Sequence, residues 1–428
     1  MDIHVVNPND TIEAIAQKYG VSEYSLVTNN HIITPCKLAP GESLVIVYPE
    51  LTYRIKEGDT LYGIADTFGV TPMELIMNNP FLNQADHIYP GDVLIIKYPE
   101  GPPITTHGNA FSFIEETTLK RSLPYLTYLS IINYTILSNG EINRYYDDST
   151  IIDLCKKYCV VPLLRLSSST MQGKTNIGIE FELLLNPNVQ DNLIENLIHL
   201  VEEHEYEGVN ISFQHLTPNS LSLYEAFIDK LAFKIKENNL LLFVTISPYV
   251  SGADHTVYFE PIDYSTIASH VDKVIFMQYY WSTVQNPPSA ITSVTLINEF
   301  LDYVVEMVPS EKIIIGIPTI GYDWELPYST GVSPVNFMTT SGVTDLARMY
   351  GFSIQFDSTS HTSFIEYQLK NNMQEAQHII WFIDARTVTA LLDLVTKYNL
   401  CGVDIWNIAV YNPQLWLIIN STFTIIKY

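Results

Sequence analysis

Asn210, Ser212 and Gln214 stand at alternate positions of Glu207-Gly208-Val209-Asn210-Ile211-Ser212-Phe213-Gln214, a stretch whose apolar residues mark it as a strand. Alternation sends these three polar side chains to one face and His215 to the other. Carboxylates so spaced on one face would suit acid–base work. Here an amide, a hydroxyl and a second amide take those places. The Gln214 amide can donate a hydrogen bond but cannot give up a proton at useful pH. Glu207 keeps its carboxylate, but not where the proton is needed. Two further carboxylates are candidate replacements: Asp404, which alternates with Trp406 on a strand and faces the same interior, and Asp323, in a loop after another strand. A general acid must come within about 3 Å of the oxygen it protonates. Nothing in the spacing brings either there, and the simpler expectations are a buried, hydrogen-bonded Asp404 and a turn residue at Asp323.

The elements that would position these residues belong to a chain of 428 residues, long enough for an enzyme-sized core plus one or two modules. Its 22 basic and 47 acidic residues give a net charge of -25, which argues against a nucleic-acid or anionic-membrane partner. Only 16% of residues are charged, and mean hydropathy is +0.10, so some apolar surface is expected to be buried between molecules. The apolar runs are strand-sized, well short of the roughly 20 residues of a bilayer span. The opening Met1-Asp2-Ile3-His4-Val5-Val6 carries no basic n-region or apolar h-region, so the expectation is a protein made in the cytoplasm without a Sec signal. Four cysteines form neither a disulfide framework nor a zinc-ligand pattern. Cys155 and Cys159, four apart on a predicted helix, are read as packing residues, and no metal or cofactor is expected.

The first hundred residues repeat with a period of about fifty. Asp10-Thr11 recurs as Asp59-Thr60, Gly20-Val21 as Gly69-Val70, Asn29-Asn30 as Asn78-Asn79, Pro40-Gly41 as Pro90-Gly91 and Tyr48-Pro49 as Tyr98-Pro99. In each copy a short strand leads into a helix with one apolar face: Ile12, Ile15, Ala16, Tyr19, then Leu61, Ile64, Ala65, Phe68. Asp10 and Glu13 are spaced as a capping box, and Gly20 and Gly69 end the helices. Second helices start at Ser22 and at Thr71, the latter with Pro72 and Glu74 behind it. A Pro-Gly turn feeds the last strand. Each copy therefore reads strand, helix, helix, strand.

This pattern resembles the LysM domain, in copies at 1–49 and 50–99 with a stiff linker at 100–104. The resemblance implies a shallow groove for N-acetylglucosamine polymers, peptidoglycan or chitin, between the strand-helix turn and the loop before the last strand. Its contacts would be Asn9, Asp10, Thr11, Asn29 and Asn30 in one copy, and Gly58, Asp59, Thr60, Asn78, Asn79 and Pro80 in the other. Asp and Thr at these places also cap helices, and the Asn pair also suits a turn. Asn9 stands where the second copy has Gly58.

From 105 to 428 strand-like runs alternate with helical ones, at 110–113, 128–135, 160–166, 208–213, 241–247, 274–279, 313–318 and 402–406. Eight such runs predict an α/β (β/α)8 TIM barrel with a small insertion after strand seven. The barrel resembles family 18 glycoside hydrolases. The resemblance is carried by Met277-Gln278-Tyr279-Tyr280-Trp281, Gly316-Ile317-Pro318, Gly321-Tyr322-Asp323-Trp324, Trp381-Phe382-Ile383-Asp384-Ala385-Arg386 and Gly402-Val403-Asp404-Ile405-Trp406. In that family the strand matching 207–214 resembles Asp-Gly-x-Asp-x-Asp-x-Glu, so Glu207, Asn210, Ser212 and Gln214 mark a degenerate motif.

The family works by substrate assistance, in which the sugar's 2-acetamido oxygen attacks the anomeric carbon and the last Glu protonates the leaving oxygen. With Gln214 and Ser212 in place of the Glu and its partner Asp, the resemblance implies lost chemistry on a kept scaffold. Tyr279 and Trp406, with Trp281 and Trp324, would still offer a sugar-binding floor, while Tyr280 would fill part of the cleft. Two LysM copies before such a barrel look like the cortex-lytic N-acetylglucosaminidases and coat proteins of endospores. The expectation is a non-catalytic glycan-binding or structural protein of the spore coat, cortex surface or exosporium. The alternatives are an active N-acetylglucosaminidase with relocated acids, or an interaction protein that assembles with itself or with coat proteins.

Overall fold

The computed structural model describes residues 1–33, 37–84, 88–170, 176–213, 216–248, 250–251, 258–259, 262–277, 287–371 and 374–428. The two repeats fold alike. Strand Asp2–Val5 pairs antiparallel with Ser43–Ile46 around helices Ile12–Tyr19 and Glu23–Asn29, and Leu51–Arg54 pairs with Val93–Lys97 around Leu61–Phe68 and Pro72–Asn78. Each has its own small core, Ile12, Ile15, Leu26 and Leu44 in one and Ile64, Ala65, Leu75 and Leu94 in the other.

The helix starts differ from expectation. Thr11 and Thr60 are the N-caps, accepting from Ala14 N at 3.1 Å and Gly63 N at 3.0 Å, and Asp10 stands outside the helix. Asp10 has closer partners: its carboxylate accepts from Asn7 N at 2.8 Å and meets His4 Nε2 at 2.9 Å. At Thr71 the expected capping box with Glu74 forms in both directions.

The barrel strands are Pro103–Phe111, Tyr128–Ile136, Val161–Ser167, Gly208–Ser212, Leu241–Ile246, Lys273–Phe276, Ile313–Pro318 and Gly402–Trp406. All neighbours are parallel, and the first strand pairs with both the second and the eighth, closing the ring. The first strand begins at Pro103, seven residues before the sequence pattern turns apolar, because Thr105, His107 and Asn109 are polar yet buried. Outward residues such as Val209, Ile211, Val244 and Ile315 join the core under the helices, while Tyr128, Leu163, Phe243, Ile275 and Ile314 plug the interior at its N-terminal end. Above that plug the interior is polar.

The insertion after strand seven is larger than its turn-rich sequence suggests. It is a five-stranded antiparallel sheet that includes Ile320–Leu326, Thr362–Asn371 and Gln374–Phe382, with helix Thr340–Tyr350 against it. Trp381 belongs to this sheet, and Asp384 caps the next helix by accepting from Arg386 N at 2.9 Å. Cys155 is buried in helix Ser149–Lys157, whereas Cys159 lies beyond its end and is exposed. Among the described residues no helix is long and apolar enough to cross a membrane.

Both repeats pack on the rest of the chain. From the second, Met77 O accepts from Tyr125 Oη at 2.8 Å and Asn78 Oδ1 from Asn420 Nδ2 at 2.8 Å. From the first, Ser43 O and Asn30 Oδ1 accept from Gln414 Nε2 at 2.9 and 3.0 Å.

Candidate functional site

The polar interior lies at the C-terminal half of the barrel, the end at which barrel enzymes do their chemistry. Parallel register sets His107 beside Asp404, Asn109 beside Ser130, Arg165 beside Asn210, and Ser212 beside Thr245. Asp404 is fully buried; its Oδ1 lies 2.5 Å from His107 Nδ1 and accepts from Asn109 Nδ2 at 2.6 Å. His107 Nε2 is 2.8 Å from Ser130 Oγ, which also accepts from Asn210 Nδ2 at 3.0 Å. Thr245 Oγ1 donates to Asn210 Oδ1 at 2.8 Å. Asn210 thus spends both ends of its amide inside the wall.

A second branch starts at Asn109, whose Oδ1 accepts from Arg165 Nη1. Arg165 Nη2 donates to Ser212 Oγ at 2.7 Å, and the guanidinium lies 4.7 Å from the ring centroid of Trp406. Trp406 is half-buried at the end of strand eight, edge-on to Phe111 at 6.4 Å. Its carbonyl accepts from Thr319 N at 2.9 Å and Thr319 Oγ1 at 3.0 Å, which fixes the strand end beneath the ring. The described interior therefore holds the buried Asp404 carboxylate, bonded through Oδ1 and with no hydrogen bond to Oδ2 among the described residues, and a permanent cation. It can bind through hydrogen bonds and a ring face. Its described residues bring no carboxylate beside Ser212.

The sequence-derived candidates fall in different places. Asn210, Ser212, Asp404 and Trp406 come together in this interior. Gln214, Tyr279, Tyr280 and Trp281 lie outside the described residues. Glu207 is exposed at the N-terminal entrance of its strand, where its backbone bonds Pro162 and Leu241, and it is no part of the interior. Asp323 is not in a turn. It sits in the insertion sheet, accepting from Tyr367 Oη at 3.0 Å and paired with His378 Nδ1 at 3.1 Å, because the neighbouring strands set those donors beside it. Trp324, next to it, is fully enclosed and packs on Tyr322, so it offers no open sugar floor.

In the repeats, Asn30 and Asn79 are buried and cannot face a ligand. Asn30 accepts from Val45 N at 2.7 Å and donates to Val45 O and Leu26 O; Asn79 accepts from Ile95 N at 2.8 Å and donates to Ile95 O and Leu75 O. Each splices the second helix to the last strand. Asn29 Nδ2 donates to Ser25 Oγ at 3.0 Å, Asn78 Nδ2 to Ile96 O at 2.9 Å, and Pro80 is half-buried at the start of a short 3-10 turn. Asp10 and Asp59 face their own turns. The backbone N–H of Asn7 holds Asp10 below the usual carboxylate range; the Lys56 N–H, then the Tyr53 hydroxyl, do the same for Asp59. Asn9, Thr11, Gly58 and Thr60 are exposed. Asn9, with φ 76, takes the same left-handed conformation as Gly58, with φ 86, so the first turn keeps its shape without glycine.

Sequence reasoning missed His107, Asn109, Ser130, Arg165 and Thr245. One signal was legible: Arg165 interrupts the apolar run Leu163-Leu164-Arg165-Leu166, and a charge inside a buried strand seldom lacks a purpose. Among the described residues no cluster of His, Cys, Asp and Glu could hold a metal ion.

Comparison with known proteins bears on this architecture. The model of the glycosyl hydrolases family 18 matches residues 171–410, and that of the LysM domain matches residues 4–47 and 53–97. The chain is 28% identical over its full length to the full-length putative sporulation-specific glycosylase YdhD of Bacillus subtilis (strain 168). It is 27% identical over its full length to 99% of the cortical fragment-lytic enzyme of the same organism. The crystal structure of the Bacillus megaterium QM B1551 spore cortex-lytic enzyme SleL superposes with a TM-score of 0.80 at 27% identity, covering 100% of this chain and 99% of that one.

Proposed function

The chain belongs to the glycosyl hydrolases family 18, with two LysM domains ahead of the barrel, and from that premise we propose that it is a glycan-binding member that does not hydrolyse its ligand. The glycan is a peptidoglycan or related N-acetylglucosamine polymer, and the setting is the spore envelope. The names of its relatives, a sporulation-specific glycosylase and cortical fragment-lytic enzymes, support that setting.

The observation that carries this reading is Arg165 on Ser212. Substrate-assisted cleavage builds positive charge at the anomeric centre and on the acetamido group, and needs a carboxylate beside it. The Ser212 hydroxyl holds a guanidinium at 2.7 Å instead, and a guanidinium stays charged at any working pH. A like charge beside the developing positive charge raises the barrier where a carboxylate would lower it. That comes on top of the ~10²–10⁴-fold associated with a missing general acid. Of the candidate replacements, Asp404 is fully buried and bonded through Oδ1 by His107 and Asn109, and Asp323 is held by Tyr367 and His378 in the insertion sheet.

The test pairs sedimentation with insoluble peptidoglycan and an assay for new reducing ends. Retention without cleavage is expected. Failure to sediment defeats the binding half of the proposal, and cleavage defeats the other.

A further inference from the structure

The two repeats share a fold, yet their Pro-Gly turns meet opposite fates. In the first, Ala39 is fully buried in the core of the insertion, with Val343, Ala347, Ile354 and Phe382. Pro40 O accepts from Ile354 N at 2.8 Å, and Gly41 O from Arg386 Nη2 at 3.0 Å. Glu42 is 3% exposed; its Oε1 accepts from Arg348 Nη2 at 2.5 Å and its Oε2 from Arg348 Nε at 3.1 Å, a two-point pair across the junction. In the second repeat the same turn reads Tyr89-Pro90-Gly91-Asp92. Tyr89, the counterpart of buried Ala39, is 63% exposed.

That turn stands beside the strand-helix turn of its own repeat. Gly91 N donates to Ile55 O and Ile55 N to Asp92 O, while Lys56 N, the next residue, donates to Asp59 Oδ2. Tyr62, at the second position of the helix that follows, is 77% exposed where the first repeat has Glu13. Two open aromatic residues thus flank the Gly58-Asp59-Thr60 turn in the second copy. In the first copy one wall of the corresponding groove is spent on the insertion.

We propose that the repeats have divided their labour: the first is a clasp that fixes the insertion against the barrel, and the second alone reads glycan, with Tyr62 and Tyr89 as its aromatic rim. Pyranose rings present C–H faces to aromatic side chains, and tyrosine adds a hydroxyl at little entropic cost. A linear N-acetylglucosamine polymer is the ligand class, so this inference rests on the glycan-binding function proposed above.

The test uses the full chain and an N-acetylglucosamine tetramer, with affinity read by calorimetry. Tyr62→Ala and Tyr89→Ala should each weaken binding about tenfold or more. Glu13→Ala and Ile33→Ala, at exposed positions of the first repeat, should stay within about twofold, a bound set by ordinary surface substitutions. All four side chains are exposed, so unchanged melting temperatures should accompany these results. Equal losses from variants of both repeats would overturn the division. So would binding indifferent to Tyr62 and Tyr89 in a wild type that binds. No binding by the wild type overturns this inference together with the proposed function.

Discussion

Gly41→Ala and Gly91→Ala make a matched pair for testing whether the first repeat is a clasp. Both glycines have positive φ, 81° and 101°, so both substitutions share a backbone cost of about 1–3 kcal/mol. Their surroundings differ. A Cβ on Gly41 would lie 1.9 Å from Ile354 O, whereas one on Gly91 meets nothing within 4 Å. Relief at Gly41 requires the turn to back away from a carbonyl of the main chain. That breaks the Pro40–Ile354 hydrogen bond, worth about 1 kcal/mol, and loosens the buried Glu42–Arg348 pair, whose complete rupture would cost about 3–5 kcal/mol. The excess over Gly91→Ala should therefore be about 2–4 kcal/mol, or roughly 30- to 700-fold in the docking equilibrium. Hydrogen exchange read on peptides that contain Ile354 is the assay, because its amide is protected by Pro40 only while the clasp is shut. Equal exchange of those peptides in the two variants would refute the argument.

Other outcomes follow from the same geometry. Burial pushes the Asp148 carboxyl up, but hydrogen bonds from Tyr206, Asn133, Tyr134 and Arg144 outweigh it and hold the pKa low. Its contribution to stability is thus present above about pH 4 and lost as pH falls through the folded value; the gap in urea midpoint between wild type and Asp148→Asn should hold down to about pH 5 and shrink only as pH falls below about 4. Asn79→Ala removes three hydrogen bonds and strands the Ile95 N–H, and should cost about 2–3 kcal/mol in denaturant unfolding. Gln214→Glu alone should yield no measurable release of reducing ends, because Ser212 and Arg165 are unchanged.

What was legible in the sequence was what periodicity records. The repeat gave both modules, and the apolar runs gave the barrel strands, because Val209, Ile211, Val244 and Ile315 face the helix layer whatever the interior does. The first strand was read late for the same reason: His107 and Asn109 satisfy one another's neighbours rather than a hydrophobic rule. The uncharged Asn210 and Ser212 were visible in the sequence, but not the cation beside them, since pairing Arg165 with Ser212 depends on the register of two strands 47 residues apart. Asn30 and Asn79 were misread as ligand contacts. A side chain that bonds a strand fifteen residues on has no local signature. The clasp was equally hidden, because Glu42 meets Arg348 across 306 residues.

The most direct test of the central claim is prolonged incubation of the purified chain with spore peptidoglycan and with N-acetylglucosamine oligomers, with products identified by mass spectrometry. Intact glycan, bound and recovered without new reducing ends, is the predicted result. Fragments whose formation is abolished by Asp404→Asn or Asp323→Asn would contradict it, and would mean that a relocated carboxylate does the work Gln214 cannot.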